Sequence, residues 1–249
     1  MKPQSPFATL AARLLDLVFP RDCAVTGEPV ADAPWRYLSA AGRDLLTPIV
    51  GACCPVCGSP FHGLAAPEQT CEHCARLRPV FSHGKVAVIA GGAGRHLVHQ
   101  LKYHRSLWLA EDMARVMAET PGFPEFLANA VIVPVPLHPR RQRWRGFNQA
   151  RALAEHLAEL LPERGRPAVR MLLERRRDTP TQTHLNRGER AKNMRNAFAL
   201  APDAKVAPGE RHIVMDDVFT TGATLNACAT VLLDAGAGTV DIAAFARAI

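Results

Sequence analysis

The run Ile213-Val214-Met215-Asp216-Asp217-Val218-Phe219-Thr220-Thr221-Gly222-Ala223-Thr224 constrains the fold more than any other segment. Ile213 to Met215 reads as a short buried strand, and Ala223 to Asp234 has the apolar spacing of a helix. A strand that feeds a helix through a short loop is half of a βαβ unit, and such units build parallel sheets. The chain upstream repeats the alternation. Val86 to Ala90 and Ala130 to Val135 read as strands. Arg95 to Tyr103, Leu107 to Glu119 and Phe147 to Leu161 have helical spacing. Ala168 to Leu173 and Thr239 to Phe245 read as two further strands. The predicted class is α/β, a parallel sheet with helices on both faces. No internal repeat and no low-complexity tract is read from the chain.

Open α/β sheets bind ligands at the carboxyl ends of their strands, which places Asp216 and Asp217 where a ligand would lie. Gly222 lets the backbone come close to a phosphate, and the amides opening the next helix supply donors and a favourable dipole. Thr220, Thr221 and Thr224 add hydroxyls beside Gly222 and Ala223. The loop is suited to a monophosphate, and the paired carboxylates to the hydroxyls of an attached sugar. A Walker loop needs a lysine after its glycine, and none is present. Gly91-Gly92-Ala93-Gly94 also has a phosphate-like look, but lacks an acidic partner and reads as a turn before a helix.

Val133-Pro134-Val135-Pro136 ends a buried strand and enters a loop carrying Arg140, Arg141, Arg143 and Arg145. Guanidinium groups beside strand-end amides suit a polyanion, either pyrophosphate or a broader anionic surface. A solvated turn is the plain alternative. Arg175 to Asn193 is polar, Arg-rich and without an apolar face, as a mobile loop or a basic linker would be.

Six of the seven cysteines lie between Cys23 and Cys74, in a Pro- and Gly-rich stretch too poor in apolar residues to order itself unaided. Cys54-x2-Cys57 and Cys71-x2-Cys74 offer four thiolates to one tetrahedral Zn²⁺, with Gly58 allowing the tight turn after the first pair. Cys53 reads as a bystander, although an exchange with Cys54 stays open. His62 and His73 are spare ligands, and Cys228 is a small buried helix residue. The expected organisation is an amphipathic helix over residues 1–20, with Leu10, Leu14, Leu17 and Val18 on one face. A cysteine-rich zinc-ribbon module follows over 21–80, and the α/β domain covers 81–249.

The net charge of +7 points to an anionic partner without choosing among phosphate esters, pyrophosphate and nucleic acid. No apolar run reaches the length of a membrane span, and no signal peptide is recognisable, so a cytoplasmic chain is expected.

Taken in order, several pieces resemble the ComF family, the amidophosphoribosyltransferase-like competence proteins. They are Leu14-Leu15-Asp16-Leu17-Val18-Phe19-Pro20, the Cys pairs, Leu101-Lys102-Tyr103, Val133 to His138, Arg145-Gly146-Phe147-Asn148-Gln149, Thr179-Pro180-Thr181-Gln182, Glu189-Arg190-Ala191-Lys192-Asn193 and the Asp-Asp loop. The loop itself is similar to the phosphoribosyl-pyrophosphate (PRPP) motif of type I phosphoribosyltransferases. The resemblance implies that fold, with a zinc ribbon ahead of it. Asp216 and Asp217 would contact ribose hydroxyls and the Mg²⁺ shell, and Thr220 to Thr224 the 5′-phosphate. Lys102 and Arg140 would face pyrophosphate, and Arg187 and Arg190 would belong to the closing loop. Family members often carry further Cys pairs near the N-terminus. Here Cys23 is present, but Thr26 holds its partner position. The expected function is a Mg²⁺-dependent PRPP-binding transferase with an unidentified acceptor, linked to DNA uptake and in contact with single-stranded DNA. The alternative is a PRPP sensor or DNA-binding competence protein without transfer activity.

Overall fold

The computed structural model describes residues 21–30, 34–61, 69–177 and 197–249. The helix expected over 1–20, His62, Arg187, Arg190 and all of the expected loop beyond residue 177 lie outside the described residues.

Five strands form one sheet in the order β1-β7-β6-β2-β3, and every neighbouring pair is parallel. They are β1 (Gly84–Ile89), β2 (Val131–Pro134), β3 (Ala168–Val169), β6 (Arg211–Phe219) and β7 (Thr239–Arg247). Val131 to Val133 are buried on both faces, as parallel strands under helices must be. Side chains alternate between two cores. Ile213, Met215 and Phe245 point into a core filled by α3 (Gly92–Tyr103), α4 (Leu109–Glu119), α5 (Phe123–Leu127) and α7 (Gln149–Leu160). Val214, Ile242 and Ala244 point into the other, filled by α8 (Ala223–Asp234) and the cysteine cluster.

The cysteine-rich stretch contributes two short helices, α1 (Ala40–Asp44) and α2 (Glu72–Leu77). Its buried residues join the two sheet cores instead of forming a third. Cys23, Trp35, Leu38 and Leu46 enter the first, and Cys54, Cys57, Cys74 and Phe81 the second. Pro48 bridges Val88 in antiparallel sense, so residues just before the four-cysteine cluster also cover the outer edge of β1.

Three sequence expectations change. The stretch read as one strand over Ala168 to Leu173 divides, because the chain leaves β2 after the Arg170 amide bonds the Ile132 carbonyl. Leu173–Arg175 (β4) pairs instead with Phe198–Leu200 (β5), antiparallel. The expected arginine loop is largely a helix, α6 (Pro139–Arg145), started by proline at its first position and stopped by Gly146 in left-handed geometry. Finally, β6 runs beyond Met215 to Phe219, because pairing with β7 continues through Phe219↔Arg247.

Candidate functional site

The extension of β6 places Asp216 and Asp217 inside its last turns of pleat, so their side chains leave on opposite faces. Asp217 is 1% exposed, and Asp216 retains some exposure. Lys102, next to last in α3, reaches across so that its Nζ lies 2.9 Å from Asp217 Oδ2. Apart from this ion pair, that oxygen has no hydrogen-bond donor among the described residues. Burial, and then the neighbouring Asp217 charge, push the Asp216 carboxyl well above its ordinary range. Burial and like charge are the strains that a divalent cation or sugar hydroxyls at this pair would relieve.

The chain turns at Thr220 and Thr221, both exposed, and Gly222 caps α8 with φ +70. A Cβ at Gly222 would lie 2.5 Å from a Phe219 ring carbon and 2.9 Å from Leu77 Cδ2, so only glycine fits here. Thr221 Oγ1 accepts from the Ala223 amide at 3.5 Å. Thr224 lies in the first turn of α8 and is half-buried. The loop thus opens a helix beside the carboxylates with its donors accessible.

The α6 arginines separate by direction. Arg140 and Arg143 are exposed, while Arg145 is 7% exposed, attracted by Asp217 and Asp216, and within 6.0 Å of the Tyr103 ring. Arg145 donates to Gln149 Oε1, Gly146 makes the turn, and Asn148 caps α7 while its amide donates to the Val135 carbonyl. The Arg145-Gly146-x-Asn148-Gln149 motif thus makes one folded turn that holds the Arg145 guanidinium buried against Gln149. Sequence reasoning chose Arg140 from this set. The signal for Arg145 was its place before the helix-ending glycine.

A cysteine cluster that could hold a metal ion lies beneath the loop. Cys54, Cys57, Cys71 and Cys74 bring their sulfurs within 4.8 Å of one another. Cys54 and Cys74 Sγ are 4.0 Å apart, and Cys57 and Cys71 Sγ 3.6 Å. A tetrahedral ion with metal–sulfur bonds near ~2.3 Å needs edges of about 3.8 Å, so the four could hold a zinc ion. Burial pushes the Cys57 thiol up to about 11, and burial with the neighbouring sulfurs raises Cys74 as well. At Cys54, burial is outweighed by hydrogen bonds from Cys71, Cys57 and Val56, which bring it to about 7. Cys53 pairs backbone with Pro60 and stays outside the cluster, as expected.

The cluster has a second copy that overturns the expectation of no internal repeat. Asp22 bridges Pro29 as Cys53 bridges Pro60. The Cys23 amide bonds the Glu28 carbonyl as Cys54 bonds Ser59, and the Gly27 amide bonds Cys23 as Gly58 bonds Cys54. Ser39 caps α1 with its amide on Cys23 Sγ, and Cys71 caps α2 with its amide on Cys54 Sγ. Thr26, Ser39 and Gly42 thereby occupy the positions of Cys57, Cys71 and Cys74. A Cβ at Gly42 would come within 2.5 Å of Cys23 Sγ, where the other copy has a ligand side chain. Burial raises the Cys23 thiol, but hydrogen bonds from Ser39 and Thr26 outweigh it and lower it to about 7. Hydroxyls have replaced ligands in this copy. Only Cys, Val, Gly and Pro match across the turn, so the sequence showed the degraded Cys23–Thr26 pair but not the Ser39 and Gly42 half of the repeat.

No protein-family model matches the chain. It is 32% identical to the DNA utilization protein YhgH of Salmonella typhi over 240 residues, 94% of this chain and 100% of that protein. It is 30% identical to competence protein F of Haemophilus influenzae, over 78% of this chain and 85% of the relative. Competence protein ComFC of Bacillus subtilis is 28% identical, over 78% and 77%. Among solved structures, a purine phosphoribosyltransferase from Pyrococcus horikoshii overlays 57% of this chain and 75% of its own, at 16% identity and a TM-score of 0.33. No helix among the described residues is long and apolar enough to cross a membrane. Identity at this level along most of the chain makes the protein a member of the ComF family, alongside competence protein F and YhgH.

Proposed function

We propose that this protein binds PRPP with Mg²⁺ at Asp216, Asp217 and the loop Thr220 to Thr224. The observation that carries the reading is the placement of two adjacent carboxylates near the end of β6, one buried and ion-paired with Lys102, beside an exposed helix-opening loop. Asp216 and Asp217 would take the ribose hydroxyls and the Mg²⁺ shell, and the amides of Thr220 to Thr224 the 5′-phosphate. Mg²⁺ bound with PRPP would neutralise the pyrophosphate as it departs. Lys102 and Arg145, flanking the carboxylates, are placed to stabilise the leaving pyrophosphate, with Arg140 at the exposed rim. Arg187 and Arg190 belong to the proposed closing loop. A structural zinc ion held by Cys54, Cys57, Cys71 and Cys74 would staple the ribbon. Titration calorimetry of PRPP with and without Mg²⁺ tests the site, and pyrophosphate release with a panel of nucleobases separates a transferase from a sensor. No binding heat with PRPP and Mg²⁺ together would end the reading.

A second reading, contact with single-stranded DNA during uptake, has its own observation. Tyr103 and Trp144 are 56% and 55% exposed, and Arg105 joins their two helix ends by donating to the Trp144 carbonyl. With Arg140 and Arg143 exposed on the same helix as Trp144, the surface offers aromatic faces among cations, the combination that binds single strands. The names of the relatives, competence and DNA utilization, agree with this role. The readings are compatible.

A further inference from the structure

The metal centre and the phosphate loop are joined by one buried side chain. Arg247 ends β7 and is 6% exposed. Its Nε donates to Ser59 Oγ at 2.6 Å, and Ser59 Oγ is 3.1 Å from Cys57 Sγ. On its other side, one terminal nitrogen donates to the Phe219 carbonyl at 2.9 Å and to the Thr220 carbonyl. The guanidinium also lies 4.2 Å from the Phe219 ring centre, and that ring packs edge-on against His73 of α2. We propose that Arg247 is a positioning residue that transmits the state of the four-cysteine metal site, through Ser59, to the amides of the phosphate loop.

Peptide planarity explains what the arginine does. In a trans peptide the carbonyl of one residue and the amide of the next point in opposite directions. Holding the Phe219 carbonyl toward Arg247 turns the Thr220 amide away from it, and holding the Thr220 carbonyl does the same for Thr221. Two loop donors are thereby aimed outward from the protein interior, where an anion can meet them. The Phe219 carbonyl also accepts from the Ala248 amide at 2.9 Å, so loss of the guanidinium releases mainly the next plane, between the exposed Thr220 and Thr221.

The state of Cys57 enters at Ser59. A protonated Cys57 donates its S–H to Ser59 Oγ, which then accepts from both the thiol and Arg247. A metal-bound thiolate only accepts, so the Ser59 hydroxyl donates to sulfur while still accepting from Arg247 Nε. The second arrangement runs in one direction from guanidinium to sulfur, and each bond polarises the next. Metal occupancy therefore tightens Arg247 and, with it, the loop. Loss of the metal loosens both.

Ser59→Ala and Arg247→Met cut the link without touching a metal ligand, and Ser59→Thr restores the hydroxyl. Zinc content is measured first, followed by amide hydrogen exchange over residues 219–226 and affinity for ribose 5-phosphate. Zinc-loaded S59A and R247M are expected to keep one metal per chain while loop exchange rises about tenfold, the scale of one lost charge-assisted hydrogen bond. S59T should behave as the parent protein. Stripping zinc should accelerate loop exchange in the parent but add little in R247M. Parent-like loop exchange in zinc-loaded R247M, or equal acceleration by zinc removal in both proteins, would overturn the proposal. The affinity arm rests on the PRPP reading. Failure of the parent to bind ribose 5-phosphate counts against that reading alone, because exchange reads the link without ligand.

Discussion

Lys102 Nζ sits 2.9 Å from Asp217 Oδ2, so a helix-end lysine from the first crossover neutralises a carboxylate two strands away in the sheet. Asp217 is buried and its oxygen has no other aligned donor, so the lysine is the main compensation for that charge. Lys102→Met should lower unfolding free energy by about 1–3 kcal/mol, the cost of leaving a buried acceptor unsatisfied. In the proposed site Mg²⁺ takes over part of this compensation, so Mg²⁺ should raise the Tm of K102M more than that of the parent. Urea denaturation measures the first, and thermal melts with and without Mg²⁺ measure the second. An unchanged midpoint in K102M would mean that the ion pair contributes nothing.

Gly222→Ala should destabilise by roughly 1–3 kcal/mol, since it adds overpacking to an unfavourable φ. The added methyl meets the Phe219 ring and Leu77, which tie the loop to α2. Affinity for ribose 5-phosphate should fall further than stability alone accounts for, because the amides around Gly222 move. Calorimetry at a temperature where the variant is fully folded reads this separately. Parent affinity there would remove the loop from the phosphate site.

What could be read from the sequence was whatever is local. Ala223 to Asp234 is helical over its expected length, and the four-cysteine cluster formed from spacing alone. Asp216 and Asp217 were placed near a strand end, but the strand continues because its partner β7 extends to Arg247, a pairing no local pattern contains. Arg145 differs from Arg140 in sequence only by standing before Gly146, and the phase of α6 turns it inward. Arg247 carried no signal, since its role depends on Ser59, which is 188 residues away in the chain.

Purified protein should contain one zinc per chain, by elemental analysis of material prepared without chelators. Four sulfurs of the Cys54 cluster provide one tetrahedral site, whereas the copy around Cys23 has lost three ligand positions to Thr26, Ser39 and Gly42. Replacing these three together by cysteine should bring the content to two. A parent protein with no metal would defeat the ribbon assignment. A triple variant still at one would show that the two turns differ more than their hydrogen bonds suggest.

His212 should make the protein acid-sensitive. Its ring is fully buried, and that burial depresses its pKa below the ordinary 6.5. Glu210, with Oε2 3.9 Å away, only partly offsets this. A depressed folded-state pKa means that the unfolded chain binds the proton first. The contribution is complete above about pH 6.5 and is lost as pH falls through the folded value. His212→Leu should flatten the stability profile below pH 6.5 relative to the parent, measured by urea midpoints across pH. Parallel profiles would assign the acid sensitivity elsewhere.

Single-stranded DNA should bind weakly at low salt through Tyr103, Trp144 and the outward arginines of α6. The ring faces supply stacking that is indifferent to sequence, worth about 1–3 kcal/mol per base, so Tyr103→Ala and Trp144→Ala should each weaken binding about tenfold. Arg140 and Arg143 act on phosphates, and their loss has a different signature. Each phosphate contact contributes roughly −0.7 to the slope of log affinity against log salt on a single strand, so removing both should reduce the slope by about 1.4. Aromatic substitutions should leave the slope as it was. Fluorescence anisotropy with a labelled oligothymidine, from about 50 to 200 mM salt, separates the two effects. Competition by PRPP and Mg²⁺ would place DNA over the carboxylate site, and independent binding would place it beside that site. No binding at the lowest salt, where electrostatic contacts are strongest, removes DNA from this surface and leaves Tyr103 and Trp144 as the rim of a small-molecule pocket.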